Sequence, residues 1–160
     1  MSEFSHIDPD GRVRMVDVTE KPATQRMARA RANIGMRAST LQQILDRKTK
    51  KGNVLETARI AGVMAAKKTA DLIPMCHPLN LSHVSIDFHP DTGTSVIGIE
   101  ATARLVGQTG VEMEALTAVA VAALTVYDMC KSTDREMAIT DIRLVEKSGG
   151  KSGHYHLREQ

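Results

Sequence analysis

Aromatic side chains are nearly absent from this sequence. Its 160 residues hold no Trp, two Tyr (Tyr127, Tyr155) and two Phe (Phe4, Phe88). A domain of about 150 residues buries roughly two-thirds of its unfolded surface, so Ala, Val, Ile, Leu and Met must fill the core. Small side chains bury little area each, and an oligomer that hides more surface is expected. The same shortage argues against a sheet-based RNA-binding module, which stacks bases on strand aromatics. Cysteine is scarce as well. Cys76 and Cys130 are the only two, and neither lies in a C-x-x-C pair. No apolar run is long: Ala115 to Tyr127 falls short of the ~20 residues that span a bilayer. The first residues are polar and do not resemble a signal peptide. These absences lead to the expectation of a cytoplasmic protein with reduced thiols and no membrane partner.

An excess of one charge is also missing, since the formal net charge is +2. The whole chain does not read as a polyanion binder, and no nucleic-acid partner is expected. The distribution is less even. Nine basic residues (Lys21, Arg26, Arg29, Arg31, Arg37, Arg47, Lys48, Lys50, Lys51) and one acid, Asp46, lie between positions 21 and 51. A local positive field suits phosphate groups, and a solvated basic face accounts for the same residues more plainly.

What is present is a single domain of ordinary globular composition, with loose ends expected at 1–10 and 148–160. Arg12 to Val18 alternates weakly, as a short strand would. From Arg26 to Arg37 the alternation is strong: Ala28, Ala30, Ala32, Ile34 and Met36 fall on one side, and Arg29, Arg31 and Arg37 on the other. Ser39 to Asp46 reads as a short helix capped by Ser39. Asn53, with Glu56 three residues on, opens a clear helix that runs to Lys67 and Lys68. Pro74 and Pro78 bracket a rigid loop. Leu81 to His89 and Ser95 to Val106 form a hairpin around Asp91-Thr92-Gly93. Val111 to Lys131 is the longest helix, and Met137 to Val145 the last strand. Without the short first helix the order is β-α-β-β-α-β. That is the split β-α-β order of an α+β, ferredoxin-like fold: an antiparallel sheet with helices packed on one face.

Two places on the long helix carry candidate chemistry. Asp128 and Lys131 are three apart and therefore neighbours on one face. In an arbitrary helix they would be a surface ion pair. Here an apolar run precedes them, which suggests a helix buried nearly all round and a partly desolvated carboxylate fit for acid–base work. Glu112 and Glu114 begin the helix, where carboxylates also suit the helix dipole. Helix rise separates Glu114 from Asp128 by about 21 Å. One small reacting centre cannot touch both within a chain, and a subunit interface that joins opposite helix ends is expected.

The run Pro74-Met75-Cys76-His77-Pro78 is the most distinctive. It suggests a rigid recognition loop, while a cysteine nucleophile and a zinc site, disfavoured by adjacent ligands, are the other readings. Lys51 precedes a helix N-terminus, a poor position for a cation unless an anion joins it. The tail Gly149-Gly150-Lys151-Ser152 is not a P-loop, because the first glycine of that motif and its helix are missing. It leaves a glycine loop able to lay Lys147 or Lys151 over phosphate.

The sequence resembles the cyclic pyranopterin monophosphate synthases, the MoaC family of molybdenum cofactor biosynthesis. The matching runs are Met15-Val16-Asp17-Val18, Lys51-Gly52 with Thr57-Ala58-Arg59-Ile60-Ala61-Gly62, and Asp71 to Leu79. Thr109 to Thr117, Tyr127 to Lys131, and Lys147 to Gly153 complete them. One departure is Asn53, where the family often has Asp; both cap helices. The resemblance implies conversion of 3′,8-cyclo-7,8-dihydro-GTP to cyclic pyranopterin monophosphate with release of diphosphate. It implies a homohexamer, a trimer of dimers, with sites at subunit contacts. Asp128, Lys51 and Lys131 map onto family catalytic residues. Met75, Cys76, His77, Met113 and Glu114 map onto substrate contacts, with Glu112 close by. No resident metal or cofactor is implied, and a divalent cation travelling with the diphosphate is left open. The triphosphate would use Lys51, Lys21, Arg26 and Lys147. The two catalytic lysines are expected to have pKa values lowered by burial and by each other's charge. A regulatory domain that binds a small molecule without catalysis is the remaining alternative.

Overall fold

A computed structural model describes residues 6–158. The elements in chain order are β1 (Thr24–Gly35), α1 (Ala38–Leu45), α2 (Val54–Lys67), α3 (Thr69–Leu72), β2 (His83–Asp91), β3 (Val96–Gly107), α4 (Glu112–Cys130), β4 (Ala138–Ser148) and β5 (Tyr155–His156). The strands form one sheet in the order β2-β3-β1-β4-β5. Every neighbouring pair is antiparallel. The first four strands thus realise the expected split arrangement, and β5 extends the β4 edge.

Period-two alternation sets the register, because a one-residue slip would turn the apolar side outward. Ala28, Ala30, Ala32 and Ile34 of β1 are all buried. They face Ala103, Ala101, Ile99 and Ile97 of β3 across the ladder. The small alanines let α4 settle closely on this face, through buried Ala115, Ala118, Val119, Ala122 and Val126. Gly62 of α2 allows a similarly close approach to α4. A Cβ there would stand 2.9 Å from the Ala118 carbonyl oxygen and 3.3 Å from the Ala122 methyl. The opposite face of the sheet is polar, with Arg29 paired to Glu100 and Glu146. By length and composition alone α4 could cross a bilayer, but most of its apolar residues lie in the core of the α/β sandwich.

Local expectations differ from the structure in three places. The 12–18 segment forms no strand, and only an isolated bridge joins Ile7 to Val13. Instead, His77 Nε2 contacts the Val16 carbonyl at 2.8 Å and Gln108 Nε2 donates to the Thr19 carbonyl at 3.1 Å, so side chains tether this segment. Ser39 lies inside α1, whose N-cap is Arg37, without a capping side chain of its own. β4 runs on to Ser148, and β5 pairs with it through Glu146–His156 and Lys147–Tyr155. The expected loose ends lie partly outside the described residues, at 1–5 and 159–160.

Candidate functional site

Candidate functional side chains gather at the two ends of α4. At the C-terminal end, Lys51 reaches back from the turn before α2. Its Nζ donates to the Asp128 carbonyl oxygen at 2.9 Å and to Oδ2 at 3.2 Å. Lys131 Nζ pairs with Asp128 Oδ1 at 2.7 Å. The odd placement of Lys51 is thereby explained. It turns away from the start of α2, where a cation is unfavourable. It serves instead the end of α4, where the dipole and an unpaired carbonyl welcome it.

This cluster is open rather than buried, which corrects two expectations. The Asp128 side chain is 58% exposed. It shares an outward stripe with Leu124, four residues earlier and also exposed. The apolar run preceding Asp128 surrounds the inner sides of the helix and leaves this one to solvent. Hydrogen bonds from Lys131 and then Lys51 hold the Asp128 carboxyl below the usual carboxylate range. The hydrogen bond to Asp128 pushes Lys131 up, not down. In the isolated chain Lys131 therefore holds its proton more tightly than a free lysine does.

At the N-terminal end of α4 the six expected substrate contacts come together. Met75, Cys76, His77, Glu112, Met113 and Glu114 line one cavity of about 340 Å³, joined by Lys21 and Thr109. Glu114 is only 3% exposed. Burial, assisted by the nearby Glu112 charge, raises its pKa to about 7. Burial and then Glu114 push the Cys76 thiol upward as well. A thiol held protonated is a poor nucleophile, which disfavours the cysteine-nucleophile reading of this loop.

A larger cavity of about 690 Å³ adjoins the first and shares Lys21, Thr109, Gly110 and Glu112 with it. Lys21, Arg26, Lys147 and Lys151 converge on it. Arg26 is fixed by the Gly107 and Gln108 carbonyls, at 3.3 and 3.2 Å. Lys147 pairs with Glu112 at 2.7 Å. Gly149 closes the rim at φ +96, and a Cβ there would stand 2.0 Å from the Gln25 carbonyl oxygen, so only glycine fits. Four cations and a glycine-rich rim suit an extended polyphosphate. A third cavity, of about 520 Å³, lies beside Lys51, Met129, Cys130 and Ser132 at the far end of α4. Glu114 and Lys51 line separate cavities, at opposite ends of α4.

Sequence reasoning missed Asp134, which is fully buried. Its partners Arg37 and Thr40 lie more than 90 positions away, beyond any local pattern. The one available signal was α1 itself, a helix without a capping side chain where it begins.

Known proteins resemble this chain over nearly its whole length. The MoaC family profile matches residues 15–150. The cyclic pyranopterin monophosphate synthase of Desulforapulum autotrophicum is 66% identical over 155 residues, which cover 97% of this chain and 95% of that protein. The synthase of Desulfatibacillum aliphaticivorans is 64% identical over 97% of this chain and 98% of its own length. That of a Roseiflexus species is 61% identical over the same shares. Likeness this high, spread over nearly the whole length of each protein, leaves one conclusion: the chain belongs to the MoaC family.

Proposed function

We propose that the two ends of α4 divide one reaction between them, recognition at the start and proton transfer at the end. The activity itself follows from the relatives. The chain is a lyase of molybdenum cofactor biosynthesis with cyclic pyranopterin monophosphate synthase activity. It acts on a GTP-derived substrate, 3′,8-cyclo-7,8-dihydro-GTP, and diphosphate leaves as the cyclic monophosphate forms. It is a soluble biosynthetic enzyme, and we place it in the cytoplasm.

In this reading the purine-derived ring enters the smaller cavity. Glu114 and the 75–77 loop meet its amino and ring N–H groups there, with Glu112 and Met113 at the entrance. The triphosphate extends into the larger cavity, along Lys21, Arg26, Lys147 and Lys151. The rearrangement requires several proton transfers and then attack by a sugar hydroxyl on phosphorus, with diphosphate as the leaving group. Lys131 and Lys51 donate and accept those protons, while Asp128 orients both ammonium groups.

Asp128 sits too far along α4 to reach a ring bound at Glu114. The catalytic cluster therefore comes from a second copy, as a symmetric trimer of dimers would provide. Ile60 and Met64 on α2 and Leu124 on α4 are all exposed, apolar groups that an assembly would cover.

The observation that carries this reading is the convergence of Lys51 and Lys131 on the single carboxylate of Asp128. The test is incubation of the purified chain with 3′,8-cyclo-7,8-dihydro-GTP, with product followed by mass spectrometry and diphosphate release. Formation of cyclic pyranopterin monophosphate is expected. Diphosphate release without the cyclic product would overturn the reading.

A further inference from the structure

We infer that Asp134 is a positioning residue for the Lys51–Asp128–Lys131 cluster, because its buried carboxylate ties the turn that carries Lys131 to the helix that leads to Lys51. The inference rests on the catalytic reading of that cluster.

The turn itself begins where α4 ends. Thr133 and Asp134 both donate their backbone N–H to the Cys130 carbonyl, at 2.9 and 3.0 Å. Lys131 lies inside this loop, its own N–H on the Tyr127 carbonyl at 2.8 Å. The Asp134 side chain then crosses to α1. Oδ2 accepts from the Arg37 backbone N–H at 2.8 Å and from the Thr40 hydroxyl at 3.1 Å. Oδ1 accepts from the Glu136 backbone N–H at 3.1 Å. The Arg37 guanidinium stands 3.7 Å away and is itself anchored to Glu136 at 2.7 Å.

A carboxylate at 0% exposure is costly unless its lone pairs are filled. Here three donors fill them. Burial opposes the charge, but the hydrogen bonds from Arg37, Glu136 and Thr40 outweigh it and keep the carboxyl below its ordinary range. Asp134 also supplies the cap that α1 lacks, from a distant part of the chain.

The mechanical consequence runs along α1. Its last turn continues through Asp46, Arg47 and Lys48, whose N–H groups return to Gln42, Ile44 and Gln43. Three residues further on stands Lys51. The segments that present the two lysines to Asp128 therefore meet at one buried carboxylate. An error of about 1 Å in placing a catalytic group can cost 10²-fold in rate. Loss of this clamp moves Lys131 relative to Lys51, while the recognition cavity at the other end of α4 keeps its lining.

The test compares full-length Asp134→Asn, Thr40→Val, Thr40→Ser, Lys131→Ala and Ile99→Val in steady-state turnover of 3′,8-cyclo-7,8-dihydro-GTP. Rates are normalised to folded protein by thermal melts. Asp134→Asn aims an amide N–H at the Arg37 or Glu136 N–H, and its kcat should fall about 10²-fold with KM near wild type. Thr40→Val should lower kcat less, and Thr40→Ser should restore most of it. Ile99→Val trims a core side chain in β3 and should lose stability but not kcat. If Asp134→Asn fails to fold, Thr40→Val decides by the same split of kcat from KM. Wild-type kcat per folded chain in the Asp134 and Thr40 variants, with Lys131→Ala inactive, would overturn the positioning role alone. Wild-type turnover in Lys131→Ala would overturn the catalytic reading and this inference with it.

Discussion

One helix treats its two carboxylates in opposite ways. Glu114, in the first turn of α4, is buried, and that burial pushes its pKa up to about 7. Asp128, in the last turn, is exposed and holds two lysines. The difference follows from what surrounds each end. The start of α4 lies beside the 75–77 loop and the tethered 16–19 segment, while in the last turn Met129 and Cys130 are buried and the Asp128 face is left to solvent. With its pKa at about 7 Glu114 carries less negative charge near neutral pH than an ordinary carboxylate, and it would repel a polyanionic substrate less. A charged, solvated cluster suits proton traffic only after something dry closes over it. On the proposed function, neither end of α4 is a finished site within one chain.

The strongest way to break the comparison is to remove the charged end. Asp128→Ala, Lys51→Ala and Lys131→Ala should each reduce kcat by about 10² to 10⁴-fold, the range for lost acid–base groups. Melting temperature and oligomeric state should stay near wild type, because exposed ion pairs contribute little to folding. Circular dichroism, sizing and turnover together check this. A variant that unfolds would show that the cluster belongs to the scaffold.

Mixing sharpens the same point. Glu114→Ala and Asp128→Ala chains, each inactive alone, should regain activity when they are unfolded and reassembled together. If every site takes Glu114 from one chain and Asp128 from another, random pairing restores about a quarter of the sites. No recovery would mean that each chain's two ends serve the same site unaided.

These contrasts were only partly legible in the sequence. The strand alternation at 26–37 was readable because one face is buried and the period of two admits no compromise. The Asn53 cap was readable because Asn53 Oδ1 accepts from the Glu56 N–H, three residues away. The cap of α1 was misread as Ser39, since its true partner, Asp134, arrives from the far end of the chain. The pairing of Asp128 with Lys131 followed from helical spacing. Its exposure did not, because an apolar run does not reveal which side of a helix the sheet leaves bare. Lys51 joined the cluster through family resemblance, and only the fold shows the carbonyl that draws it there.

Titration separates the two ends without touching catalysis. Glu114 has a folded pKa raised above its ordinary 4.5. The folded chain therefore holds this proton when the unfolded chain has released it. Stability from this group is fully present below about pH 4.5 and is lost as pH rises through 7. Glu114→Gln removes the dependence. Relative to wild type the variant should gain stability between pH 5 and pH 8, by up to about 3 kcal/mol. Parallel pH-dependent melts would show it. Asp128 has the opposite sign, since its depressed pKa lends stability that disappears in acid. Asp128→Asn should therefore leave the slope between pH 5 and pH 8 unchanged. An identical slope change in both variants would erase the distinction between the ends.

The smallest effect concerns the segment that delivers Lys51. Asn53 Oδ1 accepts from the Glu56 N–H at 3.2 Å, and the Asn53 carbonyl accepts from the Thr57 hydroxyl at 2.8 Å. The side-chain bond fixes the start of α2 two residues after the lysine. Asn53→Ala removes the cap at a cost of about 1 kcal/mol, and Asn53→Asp should keep it. Because the lysine loop lies against the end of α4 and not its start, the Ala variant should lower kcat modestly and leave KM alone. A rise in KM with unchanged kcat would mean that Lys51 binds phosphate in the ground state. It would then belong to recognition, and the line drawn between the two ends of α4 would have to move.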